Sequence, residues 1–451
     1  MITDLAPAFR PIDADLSVWR HDRADETLFY APGYVAVVDA GCVPEFAHAL
    51  ETSALTRWPA LDALREHAAA QDTWRDLVAR PFAPVCLTLY LNNECNLHCR
   101  YCFSDPGPQR ASRLALPVVR SAAEIVATHC RAQNRPLTVV FHGGGEPLLD
   151  AAYAGAVLET VEAAAAAHGL GLFRYIATNG VMSPALAAWM AAHFDLIGLS
   201  CDGPPGIQGM QRPLRDGRNS APYVEQTAQI VHASGTPLHV RVTVTAESAP
   251  HQDAIAAYVC QQLRPQEIHV EPVYGVGRAR DEVQAQADAF VTGWLRGQAV
   301  ARQHGIPWRT SGSRPGEIHG PYCQVYRDVL HLVPPGTATA CLTTTTGEQA
   351  RARSLAIGEP GAAGTLHLDT AHIEALRHAL RREAPDCAGC FNRFHCVRDC
   401  PERCALDDLA LAHGFRCAIN RTLAASAIHD AADSLRAQYP DEAVCGGEVH
   451  F

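Results

Sequence analysis

Three cysteines, Cys95, Cys99 and Cys102, stand in the string Glu94-Cys95-Asn96-Leu97-His98-Cys99-Arg100-Tyr101-Cys102-Phe103 with C-x3-C-x2-C spacing. Three thiolates on one short loop can hold three irons of a [4Fe–4S] cube and leave the fourth open to a small molecule. A structural zinc site needs a fourth Cys or His to complete its tetrahedron. His98 lies inside the loop, so the triad alone keeps zinc as an alternative. The apolar run Val85–Leu91 directly before it reads as a strand, which places the thiols where a strand ends.

A second cysteine field begins past residue 320. Cys323 and Cys341 (with Gly336 shortly before the latter) are followed by Cys387-x2-Cys390-x5-Cys396-x3-Cys400, then Cys417. A zinc ribbon on Cys387, Cys390 and Cys396 or Cys400 would leave Cys323, Cys341 and Cys417 without a role. Cys42, Cys86, Cys130, Cys201, Cys260 and Cys445 have no partner at ligand spacing and read as buried small apolar residues.

The elements that must position the first triad repeat a strand-then-helix unit. Strands are expected at Val85–Leu91, Leu137–His142, Phe173–Ala177, Asp195–Ser200, Leu238–Thr245 and Glu267–Tyr274. Helical patterns fall near residues 113–133, 151–168, 183–193, 221–234, 250–263 and 281–304. Six such units imply parallel strands joined by right-handed crossovers. The fold class expected is α/β: a partial (β/α)6 barrel, a cysteine-rich C-terminal domain and a small N-terminal α+β module. Ligands gather at the carboxyl ends of strands in such folds. Those ends carry the cysteine loop, Gly143-Gly144-Gly145-Glu146-Pro147, Thr178-Asn179-Gly180 and Ser200-Cys201-Asp202-Gly203-Pro204.

Taken together, the triad, the glycine-rich GGEP element, Ser200 and Arg212 resemble the radical S-adenosylmethionine (SAM) enzymes. The resemblance implies that the open iron chelates SAM and that one electron from the cluster breaks its C–S bond, giving a 5′-deoxyadenosyl radical. It further implies that the backbone of Gly144 and Gly145 receives the methionyl ammonium, with Glu146 adding charge. Ser200 and Arg212 would bind SAM, the planar fork of Arg212 suiting a carboxylate, and Tyr101 would meet the adenine. Arg241 and Tyr274, at later strand ends, are further candidates that packing explains as well. The second cysteine field is similar to the seven-cysteine SPASM extension of one branch of that family. This implies two auxiliary [4Fe–4S] clusters, one on Cys387, Cys390, Cys396 and Cys417, the other on Cys323, Cys341 and Cys400. No cysteine lies between Cys260 and Cys323 where some relatives carry an eighth. The latter cluster is therefore left with an open iron, or with Cys404 as its fourth ligand.

Composition bounds the rest. The chain has 451 residues, 48% hydrophobic, with net charge −11 and seventeen cysteines, and two or three domains are expected. Residues 1–82 read as the N-terminal module, 83–305 as the partial barrel and 306–451 as the auxiliary-cluster domain. No lysine occurs, which excludes a Schiff-base lysine and a Walker-type phosphate loop. No basic run points to nucleic acid, and no stretch has the length to cross a bilayer. Many thiols without a signal pattern fit a cytoplasmic protein. In the N-terminal module, Thr27–Val38 reads as a hairpin turning at Pro32-Gly33, with helices around 44–55 and 59–79. That module is read as a peptide-recognition element or a cap.

The resemblance thus implies an enzyme modifying a peptide or protein, by a thioether or C–C crosslink or a related oxidation, in natural-product peptide maturation. A low-potential donor such as flavodoxin or ferredoxin would supply electrons. Formylglycine formation, as in the sulfatase-maturing relatives, is the alternative. Those relatives place an aspartate where this chain has Leu342. A non-catalytic iron–sulfur carrier is the alternative of another class.

Overall fold

The computed structural model describes residues 9–12, 17–52, 58–104, 111–274, 277–278, 286–319, 323–347, 352–380, 385–398 and 414–449. The backbone divides into two compact units, Met1–Arg80 with Thr310–Tyr322 and His378–Phe451, and Pro81–Arg309 with Cys323–Arg377. This differs from three consecutive domains. The stretch expected to form a separate C-terminal domain instead lends strands to both sheets.

In the first unit, β1 (Arg10–Pro11), β2 (Trp19–Asp22), β3 (Glu26–Ala31) and β4 (Tyr34–Asp39) form an antiparallel sheet. The last strand, Val444–Glu448, completes it by pairing with β4. The expected hairpin is present. Ala31 pairs with Tyr34 across Pro32-Gly33, and Gly33 takes φ +83 there, a backbone shape that glycine adopts without steric cost. Period-two alternation puts Phe29, Ala31, Ala36 and Val38 on one face. They bury against Phe46, Leu61 and Leu64 of α1 (Val43–Thr52) and α2 (Pro59–Ala68). The helical stretch expected over 59–79 is two helices, α2 and α3 (Ala70–Ala79). A long helix, Phe415–Gln438, carries Cys417 in its first turn.

In the second unit, β5 (Cys86–Tyr90), β6 (Leu137–His142), β7 (Leu172–Thr178), β8 (Leu196–Ser200), β9 (Leu238–Val244) and β10 (Glu267–Pro272) match the six expected strands. All pair in parallel with their sequence neighbours. The intervening helices are α4 (Leu116–Ala132), α5 (Ala151–Ala167), α6 (Pro184–His193), the short α7 (Pro205–Gln211), α8 (Ala221–Ser234) and α9 (Gln252–Tyr258). The expected helix at 281–304 is α10 (Ala287–Gln303), and 281–285 lie outside the described residues.

Two further parallel strands, β11 (Trp308–Arg309) beside β10 and β12 (Val329–Val333) beside β5, extend the sheet at either side. Antiparallel strands β13 (Thr337–Thr339), β14 (Ala356–Pro360) and β15 (Leu366–Leu368) continue it past β12. The sheet is open and is not closed into a barrel. Its strands alternate: Leu137, Val139 and Phe141 of β6 and Val240, Val242 and Val244 of β9 are fully buried, whereas His142, Arg241 and Thr243 are only half-buried. An all-apolar strand would be covered on both faces; here one face carries polar side chains. Among the described residues, no helix is long and apolar enough to cross a membrane.

Candidate functional site

The loop after β5 is pinned from three sides. His98 N donates to Pro213 O (2.8 Å) and Arg100 N to Gln211 O (3.0 Å). Arg278 donates from its backbone N to Cys102 O and from Nη1 to Cys99 O, both at 3.0 Å. The three thiols are electrostatic neighbours. Burial pushes Cys95 up to about 11, with Glu146 and Cys102 adding to the rise. Burial pushes Cys99 up to about 12, Arg212 opposing it. Leu97 N and Asn179 Nδ2 donate to Cys95 Sγ at 3.5 and 3.6 Å. These donors suit a thiolate, whose charge strengthens the bonds it accepts. His98, which kept zinc open, is exposed. Among the described residues, no three His, Cys, Asp or Glu side chains are grouped to hold a single metal ion. A cube asks for less convergence, because each thiolate takes its own iron.

The glycine loop after β6 lies directly on the cysteine loop. Gly145 N donates to Asn92 O (2.9 Å) and Glu146 N to Glu94 O (2.7 Å). Gly144 has φ +96, and a Cβ at Gly145 would overlap Glu94 O and Asn92 Oδ1. Glycine is required there by close approach, not merely by a turn. The Glu146 carboxylate turns inward. It accepts from Thr178 Oγ1 (2.6 Å), Asn179 N (2.8 Å) and Leu148 N (3.5 Å), and burial raises its pKa to about 7. Glu146 therefore ties the end of β7 to the glycine loop, and Asn179 carries that tie on to Cys95.

A buried carboxylate organises the end of β8. Asp202 is fully buried and accepts from Tyr101 Oη (2.5 Å), Gln211 Nε2 (2.7 Å) and Thr243 N (2.9 Å). Arg212 Nε lies 3.0 Å from Asp202 Oδ2, with only 11% of the arginine side chain exposed. Its guanidinium sits 5.2 Å from the Tyr101 ring centre, and Nη2 donates to Thr243 Oγ1 (3.3 Å). Burial works against the Arg212 charge, and Asp202, Tyr101 and Cys99 more than offset it. Burial also raises Tyr101 well above the ordinary tyrosine value. Ser200 is half-buried and pairs in register with Arg241 of β9. Arg241 Nη1 lies 3.1 Å from His142 Nε2, and Tyr274 Oη donates to Glu271 (3.4 Å).

The cysteine, GGGEP, Thr178–Asn179 and Ser200–Asp202 segments thus meet at one end of the sheet. The Radical SAM superfamily profile matches residues 89–249, the stretch that supplies all four. Residues 89–249 form a radical SAM domain.

A serine-type anaerobic sulfatase-maturating enzyme of Klebsiella aerogenes is 26% identical over 349 residues, covering 72% of this chain and 82% of that protein. The solved structure of native anSMEcpe with bound AdoMet and Cp18Cys peptide superposes with TM-score 0.60 at 16% identity. It covers 78% of this chain and 99% of that chain. The complex of the same protein with AdoMet and Kp18Cys peptide gives TM-score 0.60 at 16% identity, covering 77% and 99%. These likenesses establish the fold.

Radical SAM chemistry uses SAM and a [4Fe–4S] cluster. The loop fits the cluster: three thiols converge, N–H groups aim at sulfur, and a glycine cradle leaves no room for a Cβ. When bound, the cluster and SAM supply the 5′-deoxyadenosyl radical.

Of the described cysteines of the second field, Cys387, Cys390, Cys396 and Cys417 lie in the first unit. Cys417 feels the charges of Cys396, Cys390 and Cys387, and burial raises it. Burial likewise pushes Cys390 up to about 12. In the second unit, Gln324 N donates to Ala340 O (3.1 Å), which sets the backbone at Cys323 beside that leading into Cys341. Cys341 Sγ lies 3.1 Å from Thr343 Oγ1. Cys400 and Cys404 lie outside the described residues. Among the described residues, no two cysteines are joined in a disulfide. Cys130, Cys201, Cys260 and Cys445 are buried as expected, but Cys42 and Cys86 are only half-buried; Cys42 lies in the turn before α1 and Cys86 opens β5.

Asp202, Asn179, Asn92 and Gln211 were not singled out by the sequence, although Asp202 and Asn179 lie in strand-end strings already marked as polar.

Proposed function

We propose that this enzyme modifies a peptide or protein by removing hydrogen from one of its carbons, in the maturation of a peptide natural product. The observation that carries the reading is the assembly of Cys95, Cys99 and Cys102 with the glycine loop and Arg212 at one end of an open sheet. Supporting it are the four-thiol group around Cys417 and the peptide bound in the anSMEcpe structure.

In this reading the three cysteines hold the SAM-binding cluster. The Gly144 and Gly145 backbone faces the methionyl ammonium, and Arg212 offers Nη groups to the carboxylate while Asp202 holds its Nε. Tyr101 lies against the guanidinium and borders the nucleoside. Glu146, whose carboxylate is engaged by Thr178 and Asn179, acts by holding the loops rather than by touching the ammonium. Cys387, Cys390, Cys396 and Cys417 hold one auxiliary cluster; Cys323, Cys341 and Cys400 contribute to another, completed by Cys404 or left open. A flavodoxin or ferredoxin delivers the low-potential electron, and a reducing cytoplasm suits a chain with many thiols.

The sulfatase-maturating relative favours a second reading, oxidation of a serine or cysteine to formylglycine. Leu342 at the position of the aspartate stands against it; Asp328 and Asp202 are the acids that would have to substitute, and their spacing does not mark either.

The test is anaerobic reconstitution with iron and sulfide, reduction, and addition of SAM with peptides encoded beside the gene. Expected results are 5′-deoxyadenosine and a peptide lighter by two hydrogens. An aldehyde trapped by hydrazine on a sulfatase peptide would favour the second reading. Zinc in place of iron and sulfide at the triad would overturn both.

A further inference from the structure

Cys396 lies among the four described thiols of the first unit's second cysteine field. Its Sγ accepts two N–H groups, from Asn420 Nδ2 and from the backbone of Arg398, each at 3.2 Å. Arg398 takes φ +61, a left-handed turn that swings its N–H back onto the sulfur two residues earlier. Asn420 is 1% exposed and lies three residues after Cys417 on the long helix, so both project from one face.

The asparagine is held from every side. Asn392 Nδ2 donates to Asn420 O (3.2 Å), and Ser313 Oγ donates to Asn392 Oδ1 (2.8 Å). Gly312 supplies the seat. A Cβ there would meet Asn420 Oδ1 and Cγ before anything else. The seat itself is fixed, since Val397 N donates to Gly312 O (3.1 Å) and Ser313 bridges to Cys396. A buried polar network of this kind is costly unless satisfied, and this one ends on a sulfur. A neutral thiol is a weak acceptor; two converging N–H groups match an anionic sulfur.

We propose that Asn420, seated by Gly312, raises the reduction potential of the auxiliary [4Fe–4S] cluster held by Cys387, Cys390, Cys396 and Cys417. This rests on the reading of that tetrad as a cluster site. Reduction adds one electron, which increases the negative charge on the ligating sulfurs. An N–H dipole aimed at sulfur stabilises that added charge, and hydrogen bonds to sulfur are among the levers that set such potentials. Asn420 is a positioning and tuning residue, not a group that touches substrate.

The experiment is an anaerobic redox titration of the reconstituted full chain, following the electron paramagnetic resonance signal that disappears in Cys417→Ala. In Asn420→Ala and in the isosteric Asn420→Asp, the midpoint moves to more negative potential while iron and sulfide per chain stay at the wild-type level. Gly312→Ala, which keeps Asn420 but fills its seat, moves the midpoint the same way and guards against misfolding of the first variants. Loaded variants with an unchanged midpoint overturn the inference and leave the tetrad intact as a cluster site. If Cys417→Ala removes neither iron nor any signal, the tetrad reading fails and the inference falls with it.

Discussion

The loop after β5 gathers three thiols, whereas the region around the start of the long helix gathers four. Burial raises the pKa of Cys95 and Cys99 in the first and of Cys390 and Cys417 in the second, and both groups present N–H groups to sulfur. Their surroundings diverge. Beside the triad stand a buried Arg212–Asp202 pair, a tyrosine and a glycine loop that a Cβ would obstruct. Around the tetrad, amide and backbone N–H groups end on cysteine itself, and the Arg421 charge acts on Cys390 and Cys417. On the proposed reading, three ligands beside a buried ion pair and a glycine cradle make a site that accepts another molecule, and four ligands in an amide network make a site that holds charge.

The sharpest way to break this contrast is to remove one thiol from each group. Cys102→Ala is expected to abolish 5′-deoxyadenosine formation and to lower iron by about four per chain, one cube's worth. Cys417→Ala should lower iron by a similar amount yet still cleave SAM, with modified peptide lost. Iron analysis and 5′-deoxyadenosine chromatography on the two variants decide it. Loss of SAM cleavage in both, with Cys417→Ala still folded, would remove the functional distinction.

Next in size is Asp202→Asn. The isosteric change keeps the shape but takes away the charge opposite Arg212 and leaves the Tyr101 and Gln211 donors with a poorer acceptor. A hydrogen bond to a charged group contributes about 1.5–3 kcal/mol, so KM for SAM should rise on the order of tenfold to a hundredfold, with kcat changing less. Tyr101→Phe, which removes one of the donors to Asp202, should raise KM only about fivefold, the effect of roughly 1 kcal/mol for one hydrogen bond. An Asp202→Asn enzyme with wild-type KM would mean that Arg212 does not meet the cofactor.

How much of this contrast was legible before the structure depends on sequence distance. The β6 strand matched to the residue because Leu137, Val139 and Phe141 alternate with Thr138, Val140 and His142. Helix 250–263 was found but not its break, where the last turn, Val259–Leu263, widens into a π-helix. The β12 strand was missed as part of the main sheet, since nothing local announces a partner such as β5, more than 200 residues earlier. At the site, the cysteines, glycines, Ser200 and Arg212 were legible because each lies in a short fixed string. The role of Asp202 was not: Tyr101 and Thr243 come from loops and strands on either side of it in sequence, and only the register of β8 with β9 brings them together. Glu146 was placed correctly in the chain, but the direction of its carboxylate depends on Thr178 and Asn179 at the end of the next strand.

That inward carboxylate yields an effect on stability, not on KM, and one that pH can read. Burial raises Glu146 from 4.5 to about 7 in the folded enzyme, so between those values the native state binds more protons than the unfolded chain. Stability linked to Glu146 is then fully present below about pH 4.5 and is lost as pH rises through about 7, by on the order of 3 kcal/mol at most. The melting temperature of the reconstituted enzyme should accordingly fall between pH 5 and pH 8 more steeply than that of Glu146→Gln, which cannot ionise. Its amide replaces one oxygen with a donor facing Asn179 N or Thr178 Oγ1, so the variant should begin less stable at pH 5 and the gap should narrow with rising pH. Parallel melting curves across that range would show that the Glu146 carboxylate is ionised throughout and that its three donors outweigh its burial.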